Sequence, residues 1–371
     1  MNGAAGPGEV SRGQNRGMQK QVILLAGLHK TATTSIQQTC MANQKLLLRA
    51  GFSYPVVRAR GTTDGNHTFV LKRMFSDAPN SLGRSDGFSM RTVLTAEAIE
   101  QRRAEFAAAL ARNLGVVLLA AEGVSVFSVA ELENMKRWFS THGHALRVIC
   151  HVRHVAPWVQ SMVAQRAVGR MALTIAEAVE EFREAGGIVR PRIEALRATF
   201  PDAEFYSHER AVQFPTGPVG FFFNTIGLPE VSGMRLRRAN EGRSDIATRA
   251  LSLLNERFGR ARWQGSAADL QARIEGAGMQ AIRAIPGPKF SLQRDEVAPI
   301  LELIDQENRW LGETLGPEFA GPAPAFATGP RRWRDAELGA ITQAASALPA
   351  NERNWLVERA GSGAPQAAGP H

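Results

Sequence analysis

Residues 21–47 leave few folds open. Gln21-Val-Ile-Leu-Leu-Ala-Gly27 is a short apolar run closed by glycine, which predicts a strand buried on both faces, as in a parallel sheet. The polar turn Leu28-His-Lys-Thr-Ala-Thr-Thr-Ser35 follows at once, and then Ile36, Cys40 and Leu47 recur on one side of a helical pattern. Strand, polar turn and helix in that order open a unit in which a helix returns the chain to a neighbouring parallel strand.

The alternation continues. Residues 115–121 (GVVLLAA) predict a second buried strand ending at Glu122, and residues 146–152 (LRVICHV) a third ending at Arg153. Helical patterns lie at 67–75, 96–112 and 130–140, and Pro157 opens another helix, near whose start proline is tolerated. Residues 51–55 read as punctuation, and 58–87 as a polar, glycine-bearing insertion. The expected class is therefore α/β: three layers, a parallel sheet flanked by helices. Lys30, Glu122 and Arg153 each fall just past the carboxyl end of a strand, where open sheets of this kind bind ligands. From about residue 174 the chain reads as helical, at 175–200, 221–226, 245–258 and 294–315, with one short strand at 203–207. The expected organisation is a disordered leader at 1–19, an α/β domain at 20–315, and a Pro/Ala/Gly-rich linker with a short helical appendage at 316–371.

Composition narrows the partners. The formal charge is +9, and with only six lysines its source is arginine. Such a field gathers anionic ligands. Two tyrosines in the whole chain and no zinc-finger spacing give no support for specific nucleic-acid binding. No apolar run approaches the roughly 18–20 residues of a membrane span, and residues 1–19 lack the apolar core of a secretory signal. Cys40 and Cys150 form no disulfide framework and are expected as buried free thiols in a reducing cytoplasm. No metal-ligand cluster stands out, so no metal is expected. Oligomeric state is not legible.

A turn between a buried strand and a helix presents backbone N–H groups and the positive end of the helix dipole to an anion. His29, Lys30, Thr31, Ala32, Thr33, Thr34 and Ser35 add a mobile cation and hydroxyl donors to that turn. The segment is not the ATPase loop, because its lysine comes too early and no Gly-Lys-Ser/Thr follows.

With Ile36-Gln37, this segment resembles the 5′-phosphosulfate loop of sulfotransferases that use 3′-phosphoadenosine-5′-phosphosulfate (PAPS). Ala32 stands at that loop's usual glycine. If the position needs a positive φ, alanine costs about 1 kcal/mol there. The family also holds the 3′-phosphate with a strand-end arginine and a serine eight positions later, and Arg153 with Ser161 is similar to that pattern. Asn240, Gly242, Arg243 and Ser244 resemble its late basic loop over the cofactor.

The resemblance covers about residues 20–315 and implies a P-loop nucleoside triphosphate hydrolase-like fold. It also implies in-line transfer of a sulfuryl group from PAPS to a hydroxyl or amine, leaving adenosine 3′,5′-bisphosphate. The acceptor would be a carbohydrate, a glycolipid or a small metabolite. Lys30 would stabilise the leaving phosphate oxygen, and Glu122 or His67 would serve as base. Two rival expectations stand beside it: an ATP-dependent P-loop kinase with Glu122 as metal partner, and a non-catalytic polyanion-binding protein on the same fold.

Overall fold

The computed structural model describes residues 20–59, 62–77, 95–112, 115–228, 233–239, 242–322, 326–329 and 331–362. Its strands are β1 (Lys20–Leu25), β2 (Phe52–Ser53), β3 (Val57–Ala59), β4 (Thr62–Asp64), β5 (Val116–Ala120), β6 (His144–Val152) and β7 (Glu204–Ser207). Five of them form one sheet in the order β2-β5-β1-β6-β7, with every pairing parallel. The central register sets Leu24 beside Leu119 on one side and Val148 on the other.

Side chains alternate across a strand, so each buried strand feeds two cores. Val22, Leu24, Val117, Leu119, Val148 and Cys150 pack with the helices Thr68–Phe75, Ala96–Arg112, Val129–Thr141 and Val155–Val168. Ile23, Leu25, Leu118, Ala120 and Ile149 pack with the helices Thr33–Ala42 and Gly217–Thr225 on the opposite face. The result is the expected α/β arrangement of a parallel sheet between helical layers. The helix after β1 leaves toward one face, whereas those that follow β5 and β6 leave toward the other. A crevice opens where neighbouring connections diverge in this way, beyond the carboxyl ends of the strands.

Several elements differ from the sequence reading. The pattern at 175–200 is two helices, Ile175–Ala185 and Arg190–Thr199, because Gly186 ends the first in a left-handed conformation. The pattern at 294–315 divides at Pro299, where a 3₁₀ turn separates Arg294–Val297 from Leu301–Leu315. Residues 51–55, read as punctuation, contain β2, and the polar insertion holds the β3–β4 hairpin. Helices Asp335–Ala345 and Ala350–Gly361, read as an appendage, share an apolar core with Asp245–Phe258 and Ala277–Arg283 through Leu251, Leu254, Ile282, Ile341 and Leu356. Both cysteines are free and buried. Burial pushes the Cys150 thiol up to about 12 and raises that of Cys40 as well.

The leader at 1–19 and Asn240 lie outside the described residues. Among the described residues, no helix is long and apolar enough to cross a membrane.

Candidate functional site

The turn after β1 is held from three directions. Gly27 passes so close to β6 that a Cβ there would meet Thr31 Oγ1 at 2.9 Å and the His151 amide at 3.3 Å, which is why a glycine ends this strand. The Thr31 hydroxyl donates to the Leu28 carbonyl, and the Trp158 indole donates to the carbonyl of His29 at 2.8 Å. Lys30 and Ala32 both adopt φ 68°, left-handed conformations unusual for residues with a side chain. Ala32 therefore follows the path a glycine would take, at a cost of about 1 kcal/mol. It is also the N-cap of the helix Thr33–Ala42 and supplies no side-chain acceptor, and the first turn has no acidic residue. This helix end thus keeps its positive field without a side chain of its own to quench it.

The strand ends bring the predicted residues together. Arg153 Nη1 donates to Ser161 Oγ at 2.9 Å and to the Lys30 carbonyl at 3.3 Å, so guanidinium, serine and turn form one cluster. Its Nε is buried without a hydrogen bond, and the nearest carboxylate, Glu209, stands 4.0 Å away. Burial lowers the Arg153 pKa, and Glu209 opposes that shift. Burial also lowers the Lys30 pKa; Glu122 opposes it, while Arg153 and Arg243 push the same way. Glu122, Arg153 and Arg243, from three other segments, therefore all act on Lys30, the two arginines against one carboxylate. The Thr33 hydroxyl is 2% exposed and has no hydrogen-bond partner. A buried orphan donor beside two desolvated cations suits an oxyanion.

The late basic segment arrives by an arrangement the sequence did not announce. The amides of Arg235, Arg237 and Ala239 donate to Asn43 Oδ1, Thr39 Oγ1 and Ser35 Oγ at 2.9, 3.0 and 3.0 Å. Alternate residues of an extended chain advance about 6.6 Å, and every fourth residue of a helix about 6 Å. The strap therefore zips along one face of the Thr33–Ala42 helix toward the phosphate turn. Gly242 and Arg243 are exposed beyond it.

Several predicted roles are corrected by these contacts. His67 is fully buried, with Nδ1 accepting from the Ala120 amide at 3.0 Å and Nε2 on the Pro55 carbonyl at 2.7 Å. Both ring nitrogens are engaged with backbone, so His67 anchors the end of β5 and has no nitrogen left for an acceptor proton. The Ser244 hydroxyl caps the helix Asp245–Phe258 and donates to the Ile285 carbonyl at 2.6 Å, so it is engaged structurally. Thr31 likewise spends its hydroxyl proton on the turn itself, whereas Ser35 Oγ accepts from the strap and keeps its own O–H to donate. Glu122 lies at the mouth, 3.6 Å from His29 Nδ1. Trp158 and Gln37, whose amide donates to the Ala120 carbonyl at 3.1 Å, were not anticipated; both fix the turn. Trp158 sits three residues before Ser161 on the helix carrying that serine, a spacing that could have flagged it.

Comparisons with protein-family models, with curated proteins and with solved structures return no match for this chain.

Proposed function

We propose that the chain is a PAPS-dependent sulfotransferase with a P-loop-like nucleotide site. One observation carries the reading: the guanidinium of Arg153 touches both Ser161 and the turn that bears Lys30. A strand-end arginine, a serine eight residues on and an early-lysine phosphate turn are the three parts such a site needs, and they share one crevice.

In this reading the amide end of the Thr33–Ala42 helix and the Thr33 hydroxyl hold the 5′-phosphosulfate, and Arg153 with Ser161 holds the 3′-phosphate. Sulfuryl transfer builds negative charge on the leaving phosphate oxygen. Lys30 stands where that charge develops, already desolvated and therefore strongly interacting. The acceptor, a hydroxyl or amine on a carbohydrate, glycolipid or small metabolite, would approach from the side of Glu122 and the residues that follow β2.

The test is thermal stabilisation. Adenosine 3′,5′-bisphosphate in the absence of metal should raise Tm in a concentration-dependent way, and Lys30→Ala should weaken the effect. Stabilisation by ATP with Mg²⁺ in its place would favour a kinase. Salt-sensitive binding of polyanions, indifferent to Lys30→Ala, would favour a binding protein.

A further inference from the structure

The correction of His67 leaves the site without the imidazole base that the sequence offered, yet a second imidazole stands in the phosphate turn itself. His29 Nδ1 faces Glu122 Oε1 at 3.6 Å, and the two side chains retain 16% and 24% exposure. No hydrogen bond from the described residues reaches the other ring nitrogen of His29. The backbone of His29 is held by the Trp158 indole, so the ring can pivot only about its own side-chain torsions. Glu122 is fixed in turn. It opens a 3₁₀ turn whose Ser125 hydroxyl donates to its carbonyl at 2.7 Å, and the next amide, that of Gly123, donates to Thr68 Oγ1 at 3.1 Å. The cations around the pair are Lys30 from the turn and Lys72 from the Thr68–Phe75 helix; Lys72 Cε would lie 3.0 Å from a Cβ at position 123. Arg153 and Arg243 act from the nucleotide side.

A carboxylate beside cations is stabilised in its ionised form and makes a poor proton acceptor. An imidazole with one nitrogen turned to that carboxylate and the other open has the complementary property: proton uptake at the open nitrogen is stabilised by the carboxylate behind it. We propose that His29 and Glu122 act as a base pair, His29 Nε2 taking the acceptor proton and Glu122 orienting the ring. The proposal rests on the sulfotransferase reading.

The acceptor oxygen bonds to sulfur while the bond from sulfur to the 5′-phosphate oxygen breaks, and the electron pair of that bond stays on the phosphate oxygen beside Lys30. The acceptor proton passes to Nε2, and the imidazolium, paired with Glu122, later returns it to solvent. The products are the sulfated acceptor and adenosine 3′,5′-bisphosphate. The 3.6 Å gap is an ion-pair distance, and such contacts tighten when a ternary complex forms.

Water serves as the test acceptor, with release of labelled sulfate from PAPS as the readout. His29→Ala should lower that release by about 10²-fold or more, remove an ionisation from its pH profile, and recover part of the rate in imidazole buffer. Its stabilisation by adenosine 3′,5′-bisphosphate should be unchanged. Glu122→Gln should lower the same release by about tenfold or more, because the ring loses the carboxylate that orients it, with Tm nearly unchanged. A His29→Ala variant as active as the parent, or a Glu122→Gln variant that releases sulfate as fast as the parent, overturns the pair alone. Nucleotide stabilisation without any sulfate release also overturns it. If adenosine 3′,5′-bisphosphate fails to stabilise the parent protein, the sulfotransferase reading itself fails.

Discussion

Two arginines, the half-buried Arg153 at the strand ends and the fully buried Arg249 in the C-terminal core, sit in opposite kinds of surroundings. Arg249 is 2% exposed and fully provided for. Nε donates to Asp245 at 2.9 Å, Nη1 and Nη2 engage both oxygens of Glu296, and Nη2 also reaches the Ser291 carbonyl at 2.8 Å. Its pKa rises although burial opposes the shift, because hydrogen bonds and charge from Glu296 and Asp245 more than compensate. Arg153 is desolvated without comparable provision: its pKa falls, its Nε has no hydrogen bond, and its ion pair with Glu209 spans 4.0 Å. In the proposed function, the guanidinium left wanting an anion is the one that meets the ligand. Incomplete electrostatics at a crevice are a signature of binding, as complete ones elsewhere are of structure.

The sharpest way to break this contrast is to delete each arginine. Arg249→Met leaves the mostly buried Glu296 without its cation, while Asp245 keeps Arg331 at 3.0 Å, and should cost about 3 kcal/mol of unfolding free energy, measured by denaturant titration. Arg153→Met should change stability by less than about 1 kcal/mol, since a poorly compensated charge leaves with it. A comparable loss in both variants would show that Arg153 is structural after all. Next in size is Lys30→Ala, which should reduce sulfuryl transfer by about 10²–10³-fold, the effect of removing one preorganised charge from a developing oxyanion, with Tm nearly unchanged. Arg153→Met should then weaken adenosine 3′,5′-bisphosphate by about 10–100-fold, read from the concentration dependence of Tm.

The two regions also differ in how much of them the sequence disclosed. The turn after β1 and the meeting of Arg153 with Ser161 were legible because strand, turn and helix are consecutive and the residues are local to them. Where each hydroxyl would go was not: Ser35 meets Ala239 across 204 residues and Thr39 meets Arg237 across 198, contacts that depend on the assembled fold. His67 misled for the same reason, since Gly65-Asn-His67 looks exposed in sequence and only the packing of β5 buries it. In the C-terminal half, helix existence was read at 245–258, but Ala267–Glu275 and Ala277–Arg283 were missed. Their partner helices lie beyond a proline-rich stretch, so no local period shows the shared core.

Acid should separate the regions as well. Beside the crevice, His208 is held near pKa 3 by burial, with Arg153, His151 and His154 adding to the shift, and burial holds His151 near 4. Both stay neutral in the folded chain, whereas the unfolded chain protonates them below about 6.5. Their stability contribution is therefore complete above that pH and is lost as pH falls toward 4 and 3. In the C-terminal core, burial tends to raise the Glu337 pKa, but hydrogen bonds from Arg334 and Arg331 hold it at about 2, so its contribution is lost only below about pH 4.5. Hydrogen exchange should thus show the ends of β6 and β7 losing protection between pH 6 and 4 while the helix Asp335–Ala345 keeps its own. His208→Asn should flatten the first transition. Simultaneous loss in both regions would mean that one cooperative unit hides the difference.

The smallest effect is the most diagnostic of what the turn was built for. Ala32 carries a left-handed backbone that glycine adopts without strain, so Ala32→Gly should raise stability by about 1 kcal/mol at most, part of it offset by the greater freedom of glycine in the unfolded chain. Nothing in the C-terminal core offers a comparable gain, because none of its described non-glycine residues adopts a positive φ. A turn that needs this path only for folding would gain stability and nothing else. A turn whose amides must face an anion should also bind adenosine 3′,5′-bisphosphate at least as tightly in Ala32→Gly, because the strained conformer and the binding conformer are the same. A stabilised variant with weakened nucleotide binding would mean that the methyl group of Ala32 itself shapes the pocket, and the contrast between strained site and relaxed core would have to be redrawn around that side chain.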